Sequence, residues 1–305
     1  MVLKDAFKIL SSKSKLILKM ALITFLILIV VLAIINSTLN AKLSGLYTEV
    51  KEANISEHIG KYLDTLSSDV ENKKFIQDDI MKLKALFAKY QSSLRDLLIL
   101  IIIYAVLIIF IVEVLSFNIT AQYYEFMVAD KVYKFFTLWI HYFKEAIQYA
   151  LVRMLVGLPF LVLEWTLIIV FAIASFSVSF IFALAVAMWS FIILDALRIT
   201  LFSQIAPIML GQKYAPFKAL VHNFKTTIKN FGSEFAYFVV LYVLAIPFIL
   251  TISLSTFGLG LPFALTLSVL LFHIVPIIFA FRKNNKCYFV GPGSISKYTE
   301  EIQEI

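Results

Sequence analysis

The sequence predicts an all-α polytopic membrane protein, and three observations predict it. Apolar residues make up 61% of the 305 positions and charged residues only 15%, more apolar surface than a soluble fold of this length needs. The charges are placed so that several runs without Asp, Glu, Lys or Arg reach membrane-crossing length. A motif also recurs 81 positions apart: Tyr133, Phe136, His141, Phe143, Lys144 and Ile147 return as Tyr214, Phe217, His222, Phe224, Lys225 and Ile228. Each copy lies between apolar runs, so the repeated unit is a span, a cationic aromatic helix and a second span.

About six transmembrane helices are expected, since one crossing takes roughly 20 apolar residues. The first covers residues 20–35; it is read as retained, because its apolar stretch is long for a signal peptide and its flank lacks a small-x-small cleavage site. The second, 97–116, is interrupted only by Glu113. Residues 154–194 carry Glu164 as their sole charge and are too long for one span, so a turn is expected near 175–179. Residues 235–281 carry none of the four charged types, and Ser253, Ser255, Gly258, Gly260 and Pro262 mark the turn between spans five and six. Pro159, Pro247, Pro262 and Pro276 lie within or beside spans and predict interrupted helices.

Orientation follows from the basic residues, which flank spans on the cytoplasmic side. Residues 36–96 hold nine charges of each sign, leaving 18 basic against 11 acidic elsewhere. Lysines precede span one and follow span six, whereas the hairpin tips carry none. Both termini are therefore expected in the cytoplasm, in an integral protein of the cell membrane. The domains read as 1–35 (cytoplasmic N-terminus and first span), 36–96 (extracytoplasmic helical hairpin), 97–281 (membrane domain, repeats 97–174 and 178–255 plus the final span) and 282–305 (cytoplasmic tail). In the hairpin, Ile76, Ile80, Leu83, Phe87, Tyr90, Leu94 and Leu97 step by four and three into span two, as in a coiled coil. Leu43, Leu46, Val50 and Ala53 supply the facing seam, and these arms either close on each other or present a partner or self-association surface.

The basic helices are the richest local feature. Phe217, Leu220, Val221, Phe224, Ile228 and Phe231 fall at helical spacing with Lys218, Lys225 and Lys229 elsewhere on the helix, and Val132, Phe136, Trp139, Ile140, Phe143 and Ile147 repeat the stripe beside Lys131, Lys134 and Lys144. Such helices lie in the headgroup plane and attract anionic lipid, or else cap the bundle. Inside the spans, Glu164 and His273 fall near the midplane and could pair as a relay or anchor, while Glu113 and Asp195 sit toward the cytoplasmic ends as interfacial anchors, Asp195 within reach of Arg198. His141 and His222 without a third ligand do not make a metal site, and the lone Cys287 reads as a reduced thiol. The sequence has no Gly-rich phosphate loop, no His-Glu-x-x-His and no Gly-x-Ser-x-Gly, so no enzyme, catalytic residue, metal, cofactor or nucleic-acid partner is expected.

The cytoplasmic segment Ala219-Leu220-Val221-His222-Asn223-Phe224-Lys225-Thr226-Thr227-Ile228-Lys229-Asn230-Phe231 enters a span directly. In that layout, over 97–281, the chain resembles uncharacterised six-helix prokaryotic membrane families related to the membrane domain of glycerophosphodiester phosphodiesterases. The resemblance implies an integral membrane domain without established chemistry of its own and transfers no functional residue. Two roles follow as expectations: a non-enzymatic module organising lipids or partner proteins, or a permease for a small or lipid-like cargo with a midplane site near Glu164 and His273.

Overall fold

The structure is a computed structural model that describes residues 2–13, most of 17–38, residue 44, and 73–130, 134–176, 178–258 and 260–296. Its elements are α1 (Val2–Ser12), α2 (Lys73–Ala129), α3 (Phe135–His141), α4 (Phe143–Phe176), α5 (Phe180–Phe202), α6 (Ile205–Gln212), α7 (Pro216–Lys229), α8 (Phe231–Ser255), α9 (Leu261–Lys283) and a small antiparallel pair, β1 (Phe289–Gly291) with β2 (Ser294–Ile295). Five stretches among the described residues are long and apolar enough to cross a membrane: Arg95–Ala129, Phe143–Phe176, Phe180–Gln212, Phe231–Ser255 and Leu261–Lys283. The expected first span, 20–35, falls partly outside the described residues and is helical at each position that is described.

The chain divides into two compact units, one of Met1–Phe25 with Ile109–Ile305, the other of Leu26–Ile108. In the second unit, the Thr38 hydroxyl at the end of the short apolar helix Ile29–Thr38 meets the Tyr104 hydroxyl of α2 at 2.5 Å. The helical arm expected to run into span two is present, because α2 is unbroken from Lys73. Of the facing arm, Leu43 to Ala53, every residue but Ser44 lies outside the described residues.

Within the first unit the turns fall where the charge-free runs place them. The α4–α5 connection lies between Phe176 and Phe180, and Ser179 accepts a hydrogen bond from the Phe182 amide (3.1 Å), satisfying one of the donors that a helix start leaves open. Between α8 and α9, Gly258 adopts φ +87°, a conformation that side chains with a Cβ avoid, and its amide closes on the Ser253 carbonyl at 2.7 Å. Pro216 and Pro262 occupy the first turns of α7 and α9, where a missing amide costs nothing.

Interior prolines are a correction to the sequence reading: α4, α8 and α9 continue as helix through Pro159, Pro247 and Pro276. The freed carbonyl of a membrane helix is re-satisfied by local adjustment or by neighbours, so proline there does not end the helix. The first basic helix is a second correction. Copy two forms one 14-residue helix, α7, but copy one stops after seven residues at Tyr142 (φ −102°, ψ 12°), and Phe143, Lys144 and Ile147 belong to the span α4. Tyr142 is buried there and donates its hydroxyl to Glu125 of α2 at 2.6 Å, a tertiary contact that decides the local backbone.

Packing is concentrated at one end of the bundle. Buried side chains come from Phe117 to Met127 on α2, Ala146 to Val152 on α4, Ile192 to Phe202 on α5, all but the end of α6, Phe238 and Leu241 on α8, and Ile274 to Phe281 on α9, with α1 and the β pair closing that end. The other halves of α4, α5 and α8 expose Trp165, Ile173, Ile181, Leu184 and Leu254, surface that only lipid can cover at low cost. In α9, 61% of the apolar window is buried against 11% in α4 and α8, which makes it the central post of the unit. The N-terminal helix was not anticipated as an element. It buries Val2, Ala6, Ile9 and Leu10, and its Asp5 accepts from Arg282 (3.0 Å) and from the Tyr288 hydroxyl (2.7 Å), so α1 is tied to the end of α9 and the segment that follows it.

Candidate functional site

The surface of α7 sorts its side chains into three strips. Pro216, Ala219, Leu220, Asn223 and Thr227 are buried against the bundle. Next to them Phe217, Val221 and Ile228 point outward, with Phe224 half-covered in the same strip, and beyond these stand the exposed Lys218, Lys225 and Lys229. A helix with an inner packing face, an outer apolar strip and a basic flank fits the plane of the headgroups. Small and polar side chains take the buried strip because Asn223 reaches the Leu201 carbonyl of α5 and Thr227 lies against Asn223.

Positions 81 residues earlier share part of this assignment. Leu138, Tyr142 and Ala146 are buried, as are Ala219, Asn223 and Thr227. Phe136 and Ile140 are 68% and 78% exposed, against 56% and 54% for Phe217 and Val221. Lys144 and Lys225 are both exposed, and Lys134 is exposed at the start of α3. Lys131 lies outside the described residues. His141 packs edge-on against Tyr142 (4.7 Å) and His222 against Tyr214 (5.7 Å), each against a local aromatic. Lys218 stands over the Tyr214 ring at 4.1 Å and Lys213 over Tyr142 at 5.4 Å. Burial, reinforced by the hydrogen bond to Glu125, pushes the Tyr142 hydroxyl well above the ordinary tyrosine range, and burial beside Asp5 does the same to Tyr288.

Behind this surface lies a series of charge pairs. Glu164 of α4 accepts from the Arg198 guanidinium of α5 (Nε to Oε2, 2.9 Å), and the same guanidinium also binds Asp195. Asp195 takes a second hydrogen bond from the Tyr242 hydroxyl of α8, so one cluster joins three spans. By rise per residue, Glu164 and Asp195 lie about 18 Å and 22 Å from the tip ends of their helices. Glu164 and His273 are therefore not partners: His273 Nδ1 meets the Thr120 hydroxyl at 3.2 Å instead. Asp195 is buried, a correction to its reading as a headgroup anchor, because Arg198 and Tyr242 satisfy it inside the bundle. Glu113 is partly covered and faces Arg153 of α4 at 3.5 Å, whose guanidinium lies over the Phe202 ring at 4.6 Å.

A further cluster was not anticipated. Glu234, 0% exposed at the start of α8, pairs with Lys283 at the end of α9 and accepts from Gln204 between α5 and α6 at 2.6 Å. Lys283 also reaches Gln204 Oε1 (3.2 Å) and the Thr226 carbonyl (3.4 Å). The available signal was weak: Glu234 precedes the charge-free region 235–281, and Lys283 follows it just after Arg282, without any spacing that links the pair. Asp5 had a better one, being the sole acidic residue among the first 48. Among the described residues, no group of three or more His, Cys, Asp or Glu is placed to hold a metal ion.

All-α architecture and five apolar helices of crossing length define the class, an integral membrane protein. No family model, curated protein or solved structure matches the chain.

Proposed function

We propose that the protein is a non-enzymatic membrane module that gathers anionic lipid on its cytoplasmic face through the basic helix α7 and the corresponding stretch of α3 and the start of α4. One observation supports this reading: at an offset of 81, Leu138, Tyr142 and Ala146 are buried like Ala219, Asn223 and Thr227, while Phe136 and Ile140 are exposed like Phe217 and Val221, and Lys144 like Lys225. That correspondence also supports the two spans-and-helix units as a parallel repeat. A sixth crossing, between α1 and α2, is part of this reading; in its support, Asp5 meets Arg282, and the Gly293 amide after α9 donates to Asp130 beyond α2 at 2.8 Å. Lysine placement puts that shared side in the cytoplasm.

The pairings weigh against a permease site at Glu164 and His273. Glu164 is held by Arg198, and His273 belongs to a different contact. Residues 36–96 remain the candidate surface for a protein partner or for self-association.

The lysines provide the test. In nanodiscs of mixed phosphatidylglycerol and phosphatidylcholine, replacing Lys218, Lys225 and Lys229 together by glutamine is expected to lower the preference for the anionic lipid by roughly fivefold per charge removed. Spin-labelled lipid exchange reads that preference directly. An unchanged preference in the triple variant rejects the proposal.

A further inference from the structure

The structure points to a second lipid contact distinct from the two basic stripes. At the end of the bundle where α1 packs beside the end of α9, a shallow cleft lies between α2, α6 and α9, open on one side and walled by Tyr124, Gly211, Gln212, Phe281, Asn284 and Lys286. We propose that this cleft holds one phospholipid headgroup: the phosphate on Lys286 and the Tyr124 hydroxyl, and a hydroxyl or ammonium group of the same headgroup donating to Gln212.

Three features support a built site. Gly211 is the first, because a Cβ at that position would stand 2.6 Å from the Tyr124 hydroxyl oxygen; only glycine leaves the phenol room to line the cleft. The Tyr124 ring is held in turn against Phe281 at 5.3 Å. The second is Gln212, whose Oε1 is buried without a hydrogen-bond partner, a cost that a ligand donor would remove. The third is the backbone that carries Lys286: its amide returns to the Phe281 carbonyl (3.0 Å) while Asn285 takes φ +50°, so the lysine is fixed beside the cleft by the cap of α9. Asn284 Nδ2 is committed to the Ala280 carbonyl at 2.7 Å and shapes the wall without being needed for the ligand.

The chemistry selects among headgroups. A lysine and a phenol donate to phosphate, and the unpaired amide oxygen needs a donor. Phosphatidylglycerol and phosphatidylethanolamine carry phosphate and donor together; phosphatidylcholine has the phosphate but no N–H or O–H beyond it. This assignment deepens the lipid-organising reading, yet its residues lie outside both stripes, so either can fail alone.

Native mass spectrometry of the full-length protein, delipidated and then supplied with each lipid, tests it. Wild type is expected to retain one phosphatidylglycerol or phosphatidylethanolamine at least tenfold more tightly than phosphatidylcholine. Lys286→Gln should weaken that retention about tenfold, and Gly211→Ala should abolish the selectivity. Lys286 is exposed, so its variant remains informative even if Gly211→Ala fails to fold. Equal retention of phosphatidylcholine, or undiminished retention by Lys286→Gln, overturns the proposal. Displacement of the lipid by millimolar inorganic phosphate would make the ligand a free phosphate and overturn the headgroup assignment. The triple variant of Lys218, Lys225 and Lys229 should leave this single retained lipid in place.

Discussion

Replacing Arg198 by methionine is expected to destabilise the membrane domain by about 3–5 kcal/mol, the cost of breaking a buried ion pair from one side. The guanidinium serves Glu164 through Nε and Asp195 through a second nitrogen, and both carboxylates are 5% exposed. Methionine fills much of the volume but leaves two carboxylates buried together, with the Tyr242 hydroxyl still donating to one of them. Lysine should rescue only partly, since a single ammonium cannot reproduce the planar fork. Thermal unfolding in a fixed detergent reads the effect. The accompanying control is the triple variant Glu164→Gln, Asp195→Asn, Arg198→Met, which removes every charge at once and is expected to recover most of the loss. A single Arg198→Met with wild-type stability would mean that the cluster is not closed as described.

Lys283→Met should have an effect of similar size, about 3–5 kcal/mol, for the same physical reason. Glu234 is fully buried, and its remaining donor would be Gln204. This cluster ties the first turn of α8, the last turn of α9 and the α5–α6 junction, so its loss should loosen the packed end as a whole. The double variant Glu234→Gln, Lys283→Met is expected to lie well above the sum of the two singles. A double-mutant cycle on unfolding free energies measures that coupling, and strict additivity would show that the two side chains do not interact.

Much of the fold is legible in the sequence because lipid imposes a simple constraint. Every backbone group of a span must bond within its own helix, so the placement of Asp, Glu, Lys and Arg around apolar runs reveals α4, α5, α8 and α9 and the two turns at Ser179 and Gly258. The outward apolar strip is legible for a related reason: Phe136, Ile140, Phe217 and Val221 repeat at helical spacing, and their exposure follows from the same pattern. Periodicity alone could not tell which apolar residues of α7 turn inward. Leu220 is buried and Val221 exposed, and that choice is made by Asn223 reaching across to α5.

Charge pairing is where sequence reading ends. Arg198 and Glu164 are 34 residues apart and Arg282 and Asp5 are 277 apart, separations that carry no signature because partners are chosen by helix packing. Depth along a span suggested His273 for Glu164; azimuth, which depth does not supply, decides for Arg198. The early end of α3 has the same origin, since Tyr142 leaves the helical pattern to reach Glu125 on another element.

Sidedness of Lys144 and Lys225 bears most directly on the proposed repeat and its lipid-facing surface. With Cys287, the single and exposed cysteine, replaced by serine, Lys144→Cys and Lys225→Cys can each be challenged with a membrane-impermeant maleimide in intact cells and in inverted vesicles. Both sites are expected to react in inverted vesicles and to stay unlabelled in intact cells. Labelling of the two sites from opposite sides of the membrane would contradict the repeat, the topology and the shared lipid surface together.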